Sequence, residues 1–155
     1  MPHDVDYSSP MPFMWADTLQ AAERAHLLRL FIWAAASILC GTGLLAFLRA
    51  RGHRSALLSH FAVQSAGWGT AIALFAAWLF HSLAPRDVGS ATRLDRMLWL
   101  HIGLDVGLVG VGLALVAMGW RTGRRLSVVG AGIGVAVQGC ALTLLNLVLA
   151  GQISR

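Results

Sequence analysis

Four long apolar stretches separated by short polar breaks organise this chain of 155 residues. They cover residues 27–48, 56–79, 97–118 and 126–150. A helix needs about 20 apolar residues to cross the hydrocarbon layer of a bilayer, and every stretch reaches that length. The pattern therefore predicts an all-α fold: an integral membrane bundle of four transmembrane helices.

The segment before the first stretch predicts a short juxtamembrane N-terminal helix. Asp17 and Gln20 have the spacing of a capping box, which starts a helix. An unbroken helix from there to the end of the first stretch would exceed the hydrocarbon thickness, so its first part must project or lie at the interface. The predicted division of the chain is tail and juxtamembrane helix over 1–26, four-span bundle over 27–150 and C-terminal tail over 151–155.

The composition indicates that the chain folds in a membrane. Hydrophobic residues make up 57% of the chain and charged residues 12%, which suits lipid better than water. All twelve basic residues are arginines, and they cluster at the ends of the apolar stretches, where lipid phosphates lie. We therefore expect membrane lipids as partners and no nucleic acid.

The arginines also predict an orientation. Six of them lie in the first and third breaks, which are short and contain no acid, whereas the opposite side of the bundle combines six arginines with six acids. Short basic loops favour the cytoplasm. We expect a multi-pass protein of the bacterial cytoplasmic (inner) membrane with both termini in the periplasm.

Small residues at helical spacing indicate close helix packing, because helices in lipid associate through backbone contact. The sequence does not separate contacts inside the protein from contacts with a second copy or a larger membrane complex. The residues concerned are Gly103, Gly107 and Gly110 in the third stretch, Ser65 and Gly69 in the second, and Gly130 and Gly134 in the fourth.

Asp105 is the most informative polar residue, because an ionisable group inside the membrane costs several kcal/mol unless it is neutral, paired or hydrated. It should face inward. His101 precedes it by one helical turn on the same face, so the two side chains can hydrogen-bond along the helix or point together into the bundle. Antiparallel pairing of the third and fourth stretches then predicts His101 opposite Asn146 and Asp105 opposite Gln138, with the two registers differing by about one turn.

The second stretch adds two candidate wall residues, Gln64 and Trp68. Trp68 lies deep in the stretch, where its indole needs another helix or a partner for its N–H group. Gln64 lies closer to the first break, and His60 lies closer still. These two are expected to form a separate polar spot.

Three interpretations of the polar residues remain open. The first is a structural or accessory subunit, in which Asp105, His101, Gln138 and Asn146 hold helices together. The second is a ligand-binding or proton-handling site made of the same residues. The third is a haem-carrying electron-transfer subunit with His81 and His101 as axial ligands.

No zinc spacing, phosphate-cradling loop or nucleophile elbow occurs in the sequence. We therefore expect a protein that is not an enzyme. Apart from the haem of the third interpretation, no cofactor and no metal are predicted.

Five short segments of the chain carry a family resemblance. They are GLDVG at 103–107, RLDR at 93–96, SHF at 59–61 with Trp68, VQG at 137–139 and LLN at 144–146. Together they resemble a family of small four-helix bacterial membrane proteins of unknown function, and GLDVG is similar to the signature of that family in its third span.

Two departures from the family pattern concern the polar residues. The pattern has a tyrosine where this chain has Leu108, and an acid late in the fourth span where this chain has Asn146. A carboxylate pair across the two spans would therefore be reduced here to Asp105. The family carries no assigned activity, so the resemblance implies the fold and points to Asp105, Gln138 and Asn146 without naming a reaction.

Overall fold

The computed structural model describes residues 11–84 and 87–153, with no side-chain description for 11–15 and 88. This part of the chain contains four α-helices and no strand: α1 (Met11–Ala50), α2 (Ala56–His81), α3 (Val88–Arg121) and α4 (Leu126–Ile153). Each helix is long and apolar enough to cross a membrane. The predicted four-span bundle is confirmed.

The predicted juxtamembrane helix is present as the first part of α1, which continues through the first span without a break. Its 40 residues reach about 60 Å at about 1.5 Å per residue, twice the thickness of the hydrocarbon layer. The helix begins at Met11, so Asp17 lies within it and does not cap it. The remainder of the predicted tails, 1–10 and 154–155, lies outside the described residues.

Side-chain caps define the N-terminal ends of α2 and α3. Ser55 caps α2 by accepting a hydrogen bond from the Leu58 amide at 3.3 Å, and Asp87 caps α3 by accepting one from the Ser90 amide at 2.8 Å. The hydrogen bonds from Ser90 also hold the pKa of the Asp87 carboxyl below its usual range. The connections between consecutive helices are short, so consecutive helices are antiparallel.

The helix α4 lies at the centre of the bundle. It packs against α2 and α3 along most of its length and approaches α1 over a shorter region. In the described part of the chain, the backbone of α3 comes close to α4 alone, while α1 packs mainly against α2. One face of α3 is therefore filled by α4 and the opposite face lies open.

The contact between α3 and α4 follows a repeat of seven residues. The buried positions on α3 are spaced three, four or seven residues apart, which is the spacing of two antiparallel helices packed along a narrow seam. On α4, three residues spaced seven apart are buried: Gly132, Gly139 and Asn146. The seam comprises Leu98, Ile102, Asp105, Gly112 and Gly119 on α3, and Gly132, Gly139 and Asn146 on α4.

Glycines bring the backbones of neighbouring helices into contact. A Cβ added to Gly112 would lie 2.5 Å from the amide nitrogen of Ala136 on α4, and one added to Gly69 would lie 2.8 Å from the carbonyl oxygen of Ala34 on α1. No real side chain fits at such distances. Gly130 likewise meets the Leu57 carbonyl of α2.

The predicted packing role is thus confirmed for two of the three small-residue sets, Ser65 with Gly69 and Gly130 with Gly134. The third set behaves differently. No atom outside the local helix lies within 4 Å of a Cβ added to Gly103, Gly107 or Gly110. In the described structure these three glycines face away from the bundle.

Replacing Gly112 by leucine should destabilise the bundle, because the side chain would overlap the α4 backbone at Ala136. Overpacking typically costs about 1–3 kcal/mol. Thermal unfolding of the purified protein in detergent would measure the loss. Gly67→Leu is the matched control, since a Cβ at Gly67 meets no atom within 4 Å. Equal melting temperatures for the two variants would contradict this packing.

Candidate functional site in the polar core

Polar side chains from three helices are buried where α4 meets its neighbours. None of them is more than 9% exposed. Burial of this kind requires hydrogen-bond partners, because the membrane interior offers no water to replace them. The set comprises His26 and Ser37 on α1, Asp105 on α3, and Gln138 and Asn146 on α4.

Asp105 and Asn146 join α3 to α4. The Asn146 side-chain amide donates a hydrogen bond to Oδ2 of Asp105, with a nitrogen–oxygen distance of 2.7 Å. Both residues belong to the seam between these helices, so the bond is shielded from lipid. Asp105 faces inward, as its depth in the third span predicts.

The predicted pairs across α3 and α4 were wrong. Gly139 packs against the carbonyl of Asp105, and Asn146 lies two turns further along α4, towards the start of α3. Side chains on a helix lean towards its own N-terminus. In this antiparallel pair Asp105 and Asn146 therefore lean towards each other. Asp105 and Gln138 lean apart. His101 is exposed beside the seam, so it does not pair with Asn146 either.

Gln138 instead joins α4 to α1. It is 1% exposed, the most buried large side chain of the described structure. Its Oε1 accepts a hydrogen bond from the indole Nε1 of Trp33 at 2.7 Å, and its Nε2 donates one to the hydroxyl of Ser37 at 3.1 Å. Both ends of the amide are thus used, and α4 is tied to α1 at mid-membrane.

His101 does not belong to the polar core. The heptad spacing of α3 places Ile102 and Asp105 on the seam and leaves His101 beside it, so the predicted inward orientation was wrong. The imidazole is exposed, and its centroid lies 6.2 Å from that of the Phe75 ring on α2. His81 is also exposed, at the end of α2. Haem ligation by these two histidines stays a prediction.

The two candidate wall residues on α2 lie beside the core. Gln64 packs against α4, since a Cβ added to Gly134 would lie 2.9 Å from the Gln64 Cβ. Trp68 follows one turn later and is half-buried. In the described structure no hydrogen bond links either side chain to Gln138.

Sequence reasoning missed the contribution of α1. Trp33 and Ser37 lie inside a predicted apolar span, and the predicted bundle begins at residue 27, just after His26. The available signal was spacing, because residues 26, 33 and 37 fall on one face of a helix. His26 is 7% exposed, and within the described residues its Nδ1 is buried without a hydrogen-bond partner.

The chemistry of the core follows from these contacts. The amides of Gln138 and Asn146 are engaged in bonds between helices, while Asp105 and His26 are able to exchange protons. Among the residues that the structure describes, no group of three His, Cys, Asp or Glu side chains could hold a metal ion.

The fold and its core define a four-span helical membrane protein whose helices are linked by buried polar side chains. The chain belongs to the family of unknown function DUF6992, whose model matches residues 29–147. The match takes in parts of all four helices, with Asp105, Gln138 and Asn146 among them. It confirms the resemblance to an uncharacterised family. No curated protein and no solved structure matches the chain.

Replacing Gln138 by leucine should lower the free energy of unfolding by about 1–2 kcal/mol, because it leaves the Trp33 N–H and the Ser37 hydroxyl unpaired. In a Trp33→Phe background the same change should cost less, since one of the two bonds is already absent. Unfolding of the four proteins of this double-mutant cycle in detergent would measure the coupling. Equal costs in both backgrounds would show that the hydrogen bond to Trp33 does not contribute.

Proposed function

We propose that this protein is a structural or accessory subunit of the bacterial cytoplasmic membrane that associates with a second copy of itself through α3. The observation that carries the proposal is an outer stripe of small residues on this helix. All five members are exposed and share one face: Gly103, Gly107, Gly110, Ala114 and Ala117.

The inner face of α3 indicates what such a stripe does in this molecule. At Gly112, on the inner seam, the backbone of α4 comes so close that a Cβ would not fit. The outer stripe repeats the same alternation of three and four residues. It therefore offers a second helix the same close approach.

The membrane makes a helix a suitable occupant for this stripe. Lipid tails are as apolar as a leucine side chain, so helices associate where small residues allow close van der Waals contact. From Gly103 to Ala117 the stripe spans about 21 Å at about 1.5 Å per residue, most of the hydrocarbon layer. Asp105 points to the opposite face and leaves the stripe without charge.

A second copy fits the stripe better than an unrelated helix. Copies inserted in the same orientation bring their α3 helices together in parallel, and a two-fold axis then sets each stripe against itself. Both halves of such a contact come from one sequence. Because α4 is the only described helix whose backbone comes close to α3, and no side chain lies within 4 Å of a Cβ added to Gly103, Gly107 or Gly110, the approach to the stripe is open there.

The polar core supports a structural role. Asp105, Asn146 and Gln138 hold α3, α4 and α1 in fixed relative positions. A helix held in this way presents its outer face without needing to rearrange, which reduces the entropy that association costs. The polar core therefore holds α3 in the position in which its stripe is exposed.

The orientation belongs to the same proposal. The α1–α2 and α3–α4 connections lie on one side of the membrane and carry basic residues without acids, which supports a cytoplasmic position for both. Both termini would then lie in the periplasm.

Gly107→Leu should convert the associated protein into a monomer, because a leucine in the middle of the stripe prevents close approach. Gly67→Leu is the control, since Gly67 is exposed on α2 and belongs to no stripe. Mass determination in detergent would give the oligomeric state, and melting temperatures would show that both variants fold.

Cross-linking gives a second readout. Cys40 and Cys140 are free and exposed, so they would first be replaced by alanine. Gly110→Cys should then yield a disulfide-linked dimer in native membranes, whereas Gly67→Cys should not. A monomeric wild-type protein, together with a Gly110→Cys variant that forms no cross-link, would overturn self-association. A different membrane protein that copurifies with wild type and is lost on Gly107→Leu would replace the second copy as the occupant.

One observation favours a second function, a ligand-binding or proton-handling site in the polar core. The buried Nδ1 of His26 has no partner among the described residues, and an unsatisfied buried polar group costs about 1–3 kcal/mol. A proton or a ligand donor would satisfy it. Asp105 supplies a carboxyl group in the same core.

Asp105→Asn tests this second function, because asparagine can still accept the hydrogen bond from Asn146 and should keep the fold. If the core handles protons, wild-type protein in liposomes should dissipate a pH gradient and the variant should do so at least tenfold more slowly, with an unchanged melting temperature. Equal rates for the two proteins would exclude Asp105 from such a pathway.

A further inference from the structure

An open cleft of about 660 Å³ lies where α1 ends and α2 begins. Its lining residues are of two kinds. Apolar residues such as Leu45 on α1 and Val63 on α2 lie on the parts of the helices further from the connection. The polar residues lie nearer the connection: Arg49, His53, Arg54, Ser55, Ser59 and His60.

The arginines of this cleft, Arg49 and Arg54, have no acidic partner in the described structure. Arg49, His53 and Arg54 are exposed, and none of them makes an ion pair or a hydrogen bond through its side chain there. The described acids lie on α1, α3 or the α2–α3 connection, and none lines the cleft. The cleft is therefore positive and lacks a counter-charge.

Helix ends add to this positive character. The amides in the first turn of α2 point out of the helix end, where the helix dipole favours an anion. The N-terminal part of α4 lies alongside, since Gly130 packs against the Leu57 carbonyl. The Nδ1–H of His60 donates a hydrogen bond to the Ala56 carbonyl at 2.9 Å, which holds the imidazole in place at the cleft.

The two kinds of lining residue together indicate the chemistry of the ligand. Arginine guanidinium groups bind phosphate oxygens through two parallel hydrogen bonds. An anion in water would contact only the polar residues near the connection. A phospholipid would contact both kinds, because its phosphate faces the arginines while its acyl chain follows Leu45 and Val63 into the membrane.

We propose that this cleft binds the phosphate group of an anionic phospholipid, with Arg49 and Arg54 as its principal ligands. This site is independent of the α3 stripe, which lies on another helix. It places a lipid-binding function on the face of the protein that carries the basic loops.

The test uses full-length protein in detergent and phosphatidylglycerol as the probe, with binding followed by native mass spectrometry. R49Q/R54Q should bind the lipid about twenty-five-fold more weakly, about fivefold for each arginine. R121Q/R125Q is the control, since it removes the same charge from the α3–α4 connection on the same side but outside the cleft. It should stay within about threefold of wild type, because exposed charges beyond the site are screened.

Three results would overturn the proposal. If both double variants lost the same lipid affinity, the lipid would be attracted to the basic side as a whole and no defined site would exist. Equal binding of phosphatidylcholine would remove the requirement for net negative charge. Free phosphate would be the ligand if millimolar inorganic phosphate displaced the lipid completely and raised the melting temperature of the protein as much as the lipid does. Unchanged melting temperatures of the lipid-free variants would show that the substitutions leave the fold intact.

Discussion

Close backbone contact around α4 is the constraint on which the rest of the structure depends. Glycines on α4 and on the helices beside it have no side chains, so the backbones can touch. The contacts of Gly112 with Ala136 and of Gly130 with Leu57 set both the distance and the register of the helices. In lipid, where apolar exclusion contributes little, this contact is the main source of attraction between helices.

The polar core is a consequence of that register. An asparagine side chain is short, so Asn146 reaches Asp105 only because α3 and α4 touch and because the two residues lean towards each other. Gln138 reaches Trp33 and Ser37 because α4 also approaches α1 at mid-membrane. These hydrogen bonds then oppose sliding or rotation of the helices, since each shift would leave a polar group unpaired in the membrane.

The outer surface is divided between two different features. The α3 stripe is uncharged, lies within the membrane and suits another helix, whereas the cleft beside Arg49 and Arg54 is basic, lies at the membrane boundary and suits a lipid phosphate. Neither feature contributes to the internal packing of the described bundle. The rigid interior built around α4 allows both surfaces to be presented at once.

Sequence alone determined the four spans, the inward position of Asp105 and the packing of Gly69 and Gly130. Each of these depends on a local property: the length of an apolar run, the cost of a buried charge or the size of a side chain. Tertiary structure decided that Asn146 pairs with Asp105, that His101 faces outward and that Gly103 begins an open stripe. These outcomes depend on the rotation and axial offset between helices, which arise from contacts between residues far apart in the chain.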